Sequence, residues 1–326
     1  TKMKICEYSN IVVTGGCGFI GSNFINQLFC NFKGNIINID KIDYCSDVNN
    51  IHPAIRKSNR YYLYPINICR DDELLKILVK HKVDLIINFA AQTHVTNSFQ
   101  NSKQFMIDNV IATHSLMETL VKYNKIKLLI HISTDEVYGE SELQSIIKKT
   151  ENDKLNPTNP YSASKASAEM IIKSYIHSYN IPIIITRFIN VYGQNQYPEK
   201  VIPKFIKHLK NNEKITIEGD GTQKRTFIHT DDVYNAIIVM IEKGTPGEIY
   251  NAGNNEDEFT IMEVATILIK KIIGVNDISK YIEYVEDRVY NDSRYYIDYT
   301  KLINLGWSPK KKFRRELNYI IKKNIV

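Results

Sequence analysis

The sequence predicts an α/β protein, a doubly wound parallel sheet in the first part of the chain with a smaller C-terminal domain after it. Two observations carry this. Short, almost uniformly apolar runs alternate with helical patterns, and a glycine-rich turn separates the first run from the first helix. Strands covered on both faces read as continuous apolar runs, and parallel neighbours need a crossover helix between them.

The expected strands are NIVVTG (10–15), NIINID (35–40), RYYLYPIN (60–67), DLIINFA (84–90), KLLIHIS (127–133) and PIIITRF (182–188). Helical windows lie near 20–32, 71–81, 103–123 and 161–179. From about residue 190 the pattern loosens, and Pro198, Pro203, EGDGTQ and KGTPGE mark turns. The expected division is 1–189 for a nucleotide-binding domain, with a returning segment near 228–245, and mainly 190–326 for a substrate domain.

A chain of 326 residues, 43% hydrophobic and 24% charged, can bury one large core and one smaller one. Its five cysteines (Cys6, Cys17, Cys30, Cys45, Cys69) are odd in number and form no CxxC pair, so neither a disulfide framework nor a metal site is expected. A reducing, cytoplasmic setting follows. No run approaches the ~20 apolar residues of a membrane span, and the beginning of the chain lacks signal-peptide character. The net charge of +6 concentrates in PKKKFRRELNYIIKK. Leu317, Ile320 and Ile321 have helical spacing there, so the lysines are expected on the wet face of a terminal helix rather than on a nucleic-acid patch. No nucleic acid or membrane partner is expected, and a mild basic excess suits a small anionic substrate.

In TGGCGFIG, Gly15, Gly18 and Gly21 follow the first strand and open the first helix. Such glycines let backbone approach a pyrophosphate, and the helix N-terminus offers N–H groups to it. Asp40 ends the second strand about 20 residues on, where a carboxylate binds ribose hydroxyls and repels the extra phosphate of NADP. The pattern is Rossmann-type and the expected cofactor is NAD. In YSASK, Tyr161 and Lys165 are four apart and share a helix face. A phenol is a poor base at neutral pH, but a neighbouring ammonium and a charged nicotinamide stabilise its phenolate. In STDEVYG two adjacent acids, Asp135 and Glu136, end a buried run, where charges need partners or a task.

These motifs resemble the extended short-chain dehydrogenase/reductases, and among them the nucleoside-diphosphate-glucose 4,6-dehydratases. TGGCGFIGSN, NIDKIDYCS, NFAAQTHV, STDEVYGE, NPYSASKASAE, TRFINVYG, PEKVIPKFI, GDGTQKRTFIHTDDV and LGWSP fall in family order over nearly the whole chain. Related 4-epimerases usually lack both acids, and the decarboxylases resemble the element with a serine where Asp135 stands. The resemblance implies oxidation at carbon 4 of a hexose, loss of water across carbons 5 and 6, and hydride return to carbon 6. It implies Tyr161 as base for the oxidation, Glu136 as base at carbon 5, Asp135 as acid for the leaving water, Thr134 on the carbon 4 oxygen and Lys165 on the cofactor ribose. Asp135 must then be protonated, and a turn must start at this point because adjacent side chains on a strand point apart.

By the same resemblance Phe19 and Ile20 join the glycines around the pyrophosphate. Asp40, Lys41, Ile42, Asp43 and Ser46 line the adenosine end, with Asn67 and Ile68 near adenine. Phe89, Ala90, Ala91, Thr93 and Val191 follow towards the nicotinamide. His94, Asn190 and Val201 face the substrate, while Lys200, Arg225 and Arg288 neutralise its diphosphate. Asn67 departs from the family's usual aspartate, Thr96 and Asn97 from Asp-Arg, and Asn291 from a histidine, which touches substrate-edge contacts only. KIDYCS and AAQTHV…NSF look more like the dehydratase module of plant rhamnose synthases than like bacterial dTDP-glucose enzymes, and an animal homologue of the dTDP-type name shares them too; UDP-glucose is favoured over dTDP-glucose. An epimerase or decarboxylase and a non-catalytic NAD-binding scaffold are the remaining alternatives, the last disfavoured because Thr134, Asp135, Glu136, Tyr161 and Lys165 are all present. The family's usual assembly implies a homodimer through helices 103–123 and 162–178.

Overall fold

The computed structural model describes residues 3–287 and 289–323. Seven parallel strands form the main sheet: β1 (Asn10–Thr14), β2 (Asn35–Ile39), β3 (Tyr61–Tyr64), β4 (Leu85–Asn88), β5 (Leu128–Thr134), β6 (Ile183–Phe188) and β10 (Ile249–Ala252). Their order is β10-β6-β5-β4-β1-β2-β3. Alternation along each strand serves two cores. Ile11 and Val13 pack with Phe24, Leu28, Ile237 and Met240 on one face, and Val12 with Leu74, Leu78 and Leu116 on the other. That is the doubly wound α/β arrangement the apolar runs predict.

The remaining strands are β7 (Asn190–Tyr192), β8 (Ile215–Glu218), β9 (Lys224–His229), β11 (Glu258–Thr260) and β12 (Ile282–Val285), in a β11-β9-β7 sheet and a β12-β8 pair. A third core gathers Phe205, Ile217, Phe227, Leu268 and Phe313. The helix Phe313–Lys323 adds Leu317 and Ile320 to it, as their spacing predicts. The return to the first layers extends past the expected 228–245: the helix Thr230–Lys243 packs on the helix Phe19–Asn31, where Gln27 Nε2 donates to Asp231 Oδ1 at 3.0 Å, and β10 then joins the sheet beside β6.

Two elements differ from expectation. The strand expected over 60–67 is only four residues long, because Pro65 cannot donate a ladder hydrogen bond. The window 103–123 is a continuous helical run, but Met106–Ile111 is a π-helical turn. Such turns re-aim side chains and cluster at functional sites; here the turn buries Asp108 and Asn109.

The helix Asp71–His81 carries acids in its first turn and Lys80 and His81 in its last, complementing its dipole. It ends on Lys82, an exposed residue in left-handed backbone (φ 49), where glycine is the unstrained choice. Lys82→Gly is expected to stabilise the fold by about 0.5–1 kcal/mol, read as a higher urea midpoint at unchanged slope.

Candidate active site

The strand order reverses between β1 and β4, and the crevice outside their carboxyl ends is where an open α/β sheet takes a ligand. The turn after β1 is shaped by glycine at two points. Gly15 has φ 66, and a Cβ on it would stand 2.8 Å from Ala90 N; a Cβ on Gly21 would stand 2.3 Å from Gly15 O. Side chains there would wreck the turn. Asp40, at the end of β2, is buried and fully engaged: Oδ2 accepts from Cys17 N at 2.9 Å, and Oδ1 from Ile42 N at 2.8 Å and Ser46 Oγ at 3.2 Å. One carboxylate thus ties the glycine turn to the loop after β2.

A cavity of about 300 Å³ runs from Gly15, Gly18, Gly21 and Asp40 to Thr134, Glu136, Tyr161 and Lys165. Phe19, Ile20, Lys41, Asp43, Ser46, Asn67, Ile68, Phe89, Ala90, Ala91, Thr93 and Val191 line it as well. Ile42 does not: it is turned out at 37% exposure, in left-handed backbone with φ 56. The side-chain-free glycine cradle at a helix N-terminus and the carboxylate at the far strand end fit a dinucleotide.

β5 is buried along its whole length and ends in a tight turn over Asp135–Tyr138. The expected turn therefore starts where the acids do. Thr134 caps it, its Oγ1 accepting from Glu136 N at 3.3 Å and donating to Asp135 Oδ1 at 3.2 Å. Asp135 is 2% exposed, stands behind the cavity wall, and its Oδ2 has no hydrogen-bond partner among the described residues. Burial, reinforced by the charge of Glu136, pushes its carboxyl up to about 8. Burial also raises Glu136, against the pull of Arg225 and Lys200, while Asn159 Nδ2 donates to its Oε2 at 3.5 Å.

The helix Pro160–Tyr179 starts with proline at its first position and Asn159 as cap, whose Oδ1 accepts from Ser162 N at 2.9 Å. Tyr161 and Lys165 follow one turn apart, both buried. Lys165 Nζ donates to Ile132 O at 2.7 Å, and burial lowers its ammonium to about 8. The Tyr161 phenol is raised, by burial first and by the Glu136 charge second. The expected lowering by Lys165 does not appear: burial and the two acids raise the phenol, and a hydrogen bond with Thr134 is the influence that opposes them.

A second cavity, of about 200 Å³, adjoins the first and shares Glu136, Asn190, Lys200 and Val201 with it; His94 and Arg225 line its walls. Arg225 Nη2 donates to Asn291 Oδ1 at 3.2 Å, and its guanidinium lies 5.2 Å over the Tyr295 ring. Lys200 Nζ donates to Thr93 O at 2.8 Å. His94 caps a short helix, Nδ1 accepting from Asn97 N at 3.3 Å. Arg288 lies outside the described residues.

Sequence reasoning missed several wall residues. Asp108 accepts from Lys41 Nζ at 2.8 Å and Gln92 Nε2 at 3.0 Å, and Asn109 brackets the Gln92 backbone through its Oδ1 and Nδ2. Both hang on the π-helical turn, which no periodicity announces. Glu199, Asp292 and Tyr295 in the second cavity were missed too, since they sit on loops without a pattern. Asn159 was legible as a cap, standing directly before Pro160. Among the described residues no cluster of three or more metal-ligating side chains occurs, and no helix is long and apolar enough to cross a membrane.

A dinucleotide cradle on a doubly wound sheet, with a Tyr-x-x-x-Lys helix facing the end of β5, defines an enzyme of the extended short-chain dehydrogenase/reductase class. Residues 12–319 match the family model described as GDP-mannose 4,6 dehydratase, and the chain belongs to that family, as a hydro-lyase with NAD as its cofactor. A dTDP-D-glucose 4,6-dehydratase of Dictyostelium discoideum is 41% identical over 91% of this chain and 77% of its own. A trifunctional UDP-glucose 4,6-dehydratase/UDP-4-keto-6-deoxy-D-glucose 3,5-epimerase/UDP-4-keto-L-rhamnose-reductase of Arabidopsis thaliana is 42% identical over 92% of this chain, which spans 45% of the plant protein. The crystal structure of dTDP-glucose 4,6-dehydratase from Bacillus anthracis in complex with NAD superposes with a TM-score of 0.87, at 38% identity and 96% coverage of both chains.

The raised carboxyl of Asp135 makes a signed prediction. Between about pH 4 and about pH 8 the folded chain keeps this proton while the unfolded chain releases it, so the site's contribution to stability is fully present at the acid end and is lost as pH rises. Asp135→Asn, which cannot ionise, should match wild type near pH ~4 and exceed it by a margin growing towards pH ~8, in urea unfolding across that range. A wild type that gains on the variant as pH rises would mean a charged Asp135 in the fold.

Proposed function

We propose that the chain converts UDP-glucose to UDP-4-keto-6-deoxyglucose. One observation carries the reading: Thr134 and Glu136 line the same cavity as Tyr161 and Lys165, with Glu136 shared by the two cavities and the protonated Asp135 buried beside them. Residues 1–189 with the returning segments hold the cofactor, and mainly 190–326 hold the sugar nucleotide. Asp40 and the glycine turn grip the adenosine end, and Lys165, beside Tyr161 at the other end of the cavity, the cofactor ribose there. Bound NAD supplies the hydride acceptor at carbon 4, a positive charge beside the Tyr161 phenol, and the hydride returned to carbon 6.

Tyr161 takes the proton of the carbon 4 hydroxyl while Thr134 hydrogen-bonds that oxygen. The ketone so formed acidifies carbon 5, whose proton passes to Glu136. Asp135 gives its proton to the carbon 6 hydroxyl, which leaves as water; Glu136 returns its proton to carbon 5 as carbon 6 is reduced. Lys200 and Arg225 neutralise the diphosphate, and Asn190, Val201 and His94 border the sugar. An acid that stays protonated and a neighbouring base of lower pKa are what such an elimination needs.

UDP is favoured over dTDP by KIDYCS and AAQTHV…NSF, which resemble the dehydratase module of plant rhamnose synthases more than bacterial dTDP-glucose enzymes. A methyl group and one ribose hydroxyl separate the two, worth about 1–3 kcal/mol in a shallow pocket. The test is the formation of alkali-absorbing 4-keto sugar from each nucleotide, with UDP-glucose expected to show the higher kcat/KM. Equal or reversed values sink the nucleotide preference, and no keto sugar from either sinks the activity. Glu136→Gln and Asp135→Asn should each cut turnover by roughly 10²–10⁴, the first slowing solvent exchange at carbon 5 and the second sparing it. Unchanged product formation in both would remove the acids from the mechanism.

The working form we propose is a homodimer built on the helical run 102–123 and the helix Pro160–Tyr179. These pack together and leave Met106, Ile111 and Met170 exposed, apolar groups that a second copy would cover. Sedimentation should give about twice the chain mass of 37.8 kDa at micromolar concentration; a monomer there contradicts it.

A further inference from the structure

Under the acid-bearing turn lies a charge pair that lines neither cavity. Glu169, on the helix Pro160–Tyr179, and Arg187, on β6, are both 0% exposed. Their contact is bidentate, Nε to Oε1 at 3.0 Å and Nη2 to Oε2 at 2.5 Å, which fixes direction as well as distance. Replacing such a pair by apolar residues of similar volume is often neutral or stabilising, so stability alone is a weak reason to bury one.

What the pair holds is specific. Ser133 Oγ donates to Glu169 Oε1 at 2.6 Å, and Arg187 Nη1 donates to the Tyr138 hydroxyl at 2.6 Å. The Tyr138 hydroxyl in turn donates a hydrogen bond to Asn251 Oδ1 at 2.8 Å, and its ring lies 4.5 Å from the guanidinium. Ser133 is the residue before Thr134, and Tyr138 is the last residue of the turn that carries Asp135 and Glu136. The two ends of the segment 134–137 are therefore tied to one rigid pair. Glu169 also stands one helical turn beyond Lys165 and two beyond Tyr161, so the tie is referred to the helix that carries both.

We propose that Glu169 and Arg187 are positioning residues, a clamp that sets the Asp135–Glu136 turn against the Tyr161–Lys165 helix. The inference rests on the reading of the two acids as the elimination pair. It makes a separation that a merely structural pair would not: loosening the clamp slows the steps of Asp135 and Glu136 more than oxidation at carbon 4, whose base Tyr161 rides on the helix and which the clamped segment serves through Thr134 alone.

The test uses Ser133→Ala and Tyr138→Phe, singly and together, which cut the ties and leave the ion pair intact. The double variant should lose roughly 10–10²-fold in kcat, the scale of a misplacement of about 1 Å. KM for the sugar nucleotide and the content of tightly held NAD should stay within about two-fold of wild type. Reduced dinucleotide should build up on mixing with substrate, since oxidation then outruns elimination. Glu169→Gln, which keeps shape and an acceptor for Ser133, should show the same split where it folds. An undiminished kcat in the double variant, or a loss shared equally by KM and NAD content, overturns the clamp. Wild type run alongside distinguishes the two failures: keto sugar from wild type with undiminished variants rejects the clamp alone, whereas none from wild type rejects the acids' role and the clamp with it.

Discussion

Burial of a carboxyl without a bonded cation is the constraint on which the site depends. Asp135 is only 2% exposed at the end of β5, and the hydrogen bond it receives from Thr134 does not compensate for lost solvation. The group keeps its proton instead. Its sequence neighbour Glu136 faces the cavities, where burial also raises it but the charges of Arg225 and Lys200 and a hydrogen bond from Asn159 work against that rise. Two adjacent acids thereby meet different surroundings from a single change of backbone direction.

The same desolvation acts on the facing helix. Lys165 is drawn down and Tyr161 up, so the protein alone keeps the phenol protonated. Under the proposed mechanism the phenol acts as base only when positive charge arrives beside it, which would couple the start of the reaction to occupancy of the dinucleotide cradle.

Much of this was legible in the sequence where local chemistry and global role coincide. The glycine turn reads correctly because its spacing serves both a tight bend and a ligand, and the helix Asp71–His81 because acids open it and basic groups close it. STDEVYG announced its own turn, since two adjacent acids could not both leave a strand on one side. What failed to show was set by distance along the chain. Ile249–Ala252 is four residues just past the expected returning segment 228–245, and only its pairing with β6 makes it part of the main sheet. Asp108 and Asn109 owe their position to a π-helical turn that shifts phase inside an ordinary helical pattern. Glu169 and Arg187 read as one more surface acid and one charged strand residue until the fold brings them together with no water between.

The loop after β2 has a further consequence. Ile42 is β-branched and sits in left-handed backbone, a conformation that costs of order 1–3 kcal/mol and is held there by its hydrogen bond to Asp40. The rim of the nucleotide site is thus kept in an unfavourable shape by the protein itself. A dinucleotide meeting such a rim has little loop ordering left to impose, so more of its contact energy appears as affinity and its residence time lengthens. Tight retention of a cofactor that is regenerated every cycle would then begin in one strained isoleucine, far from the sugar it serves.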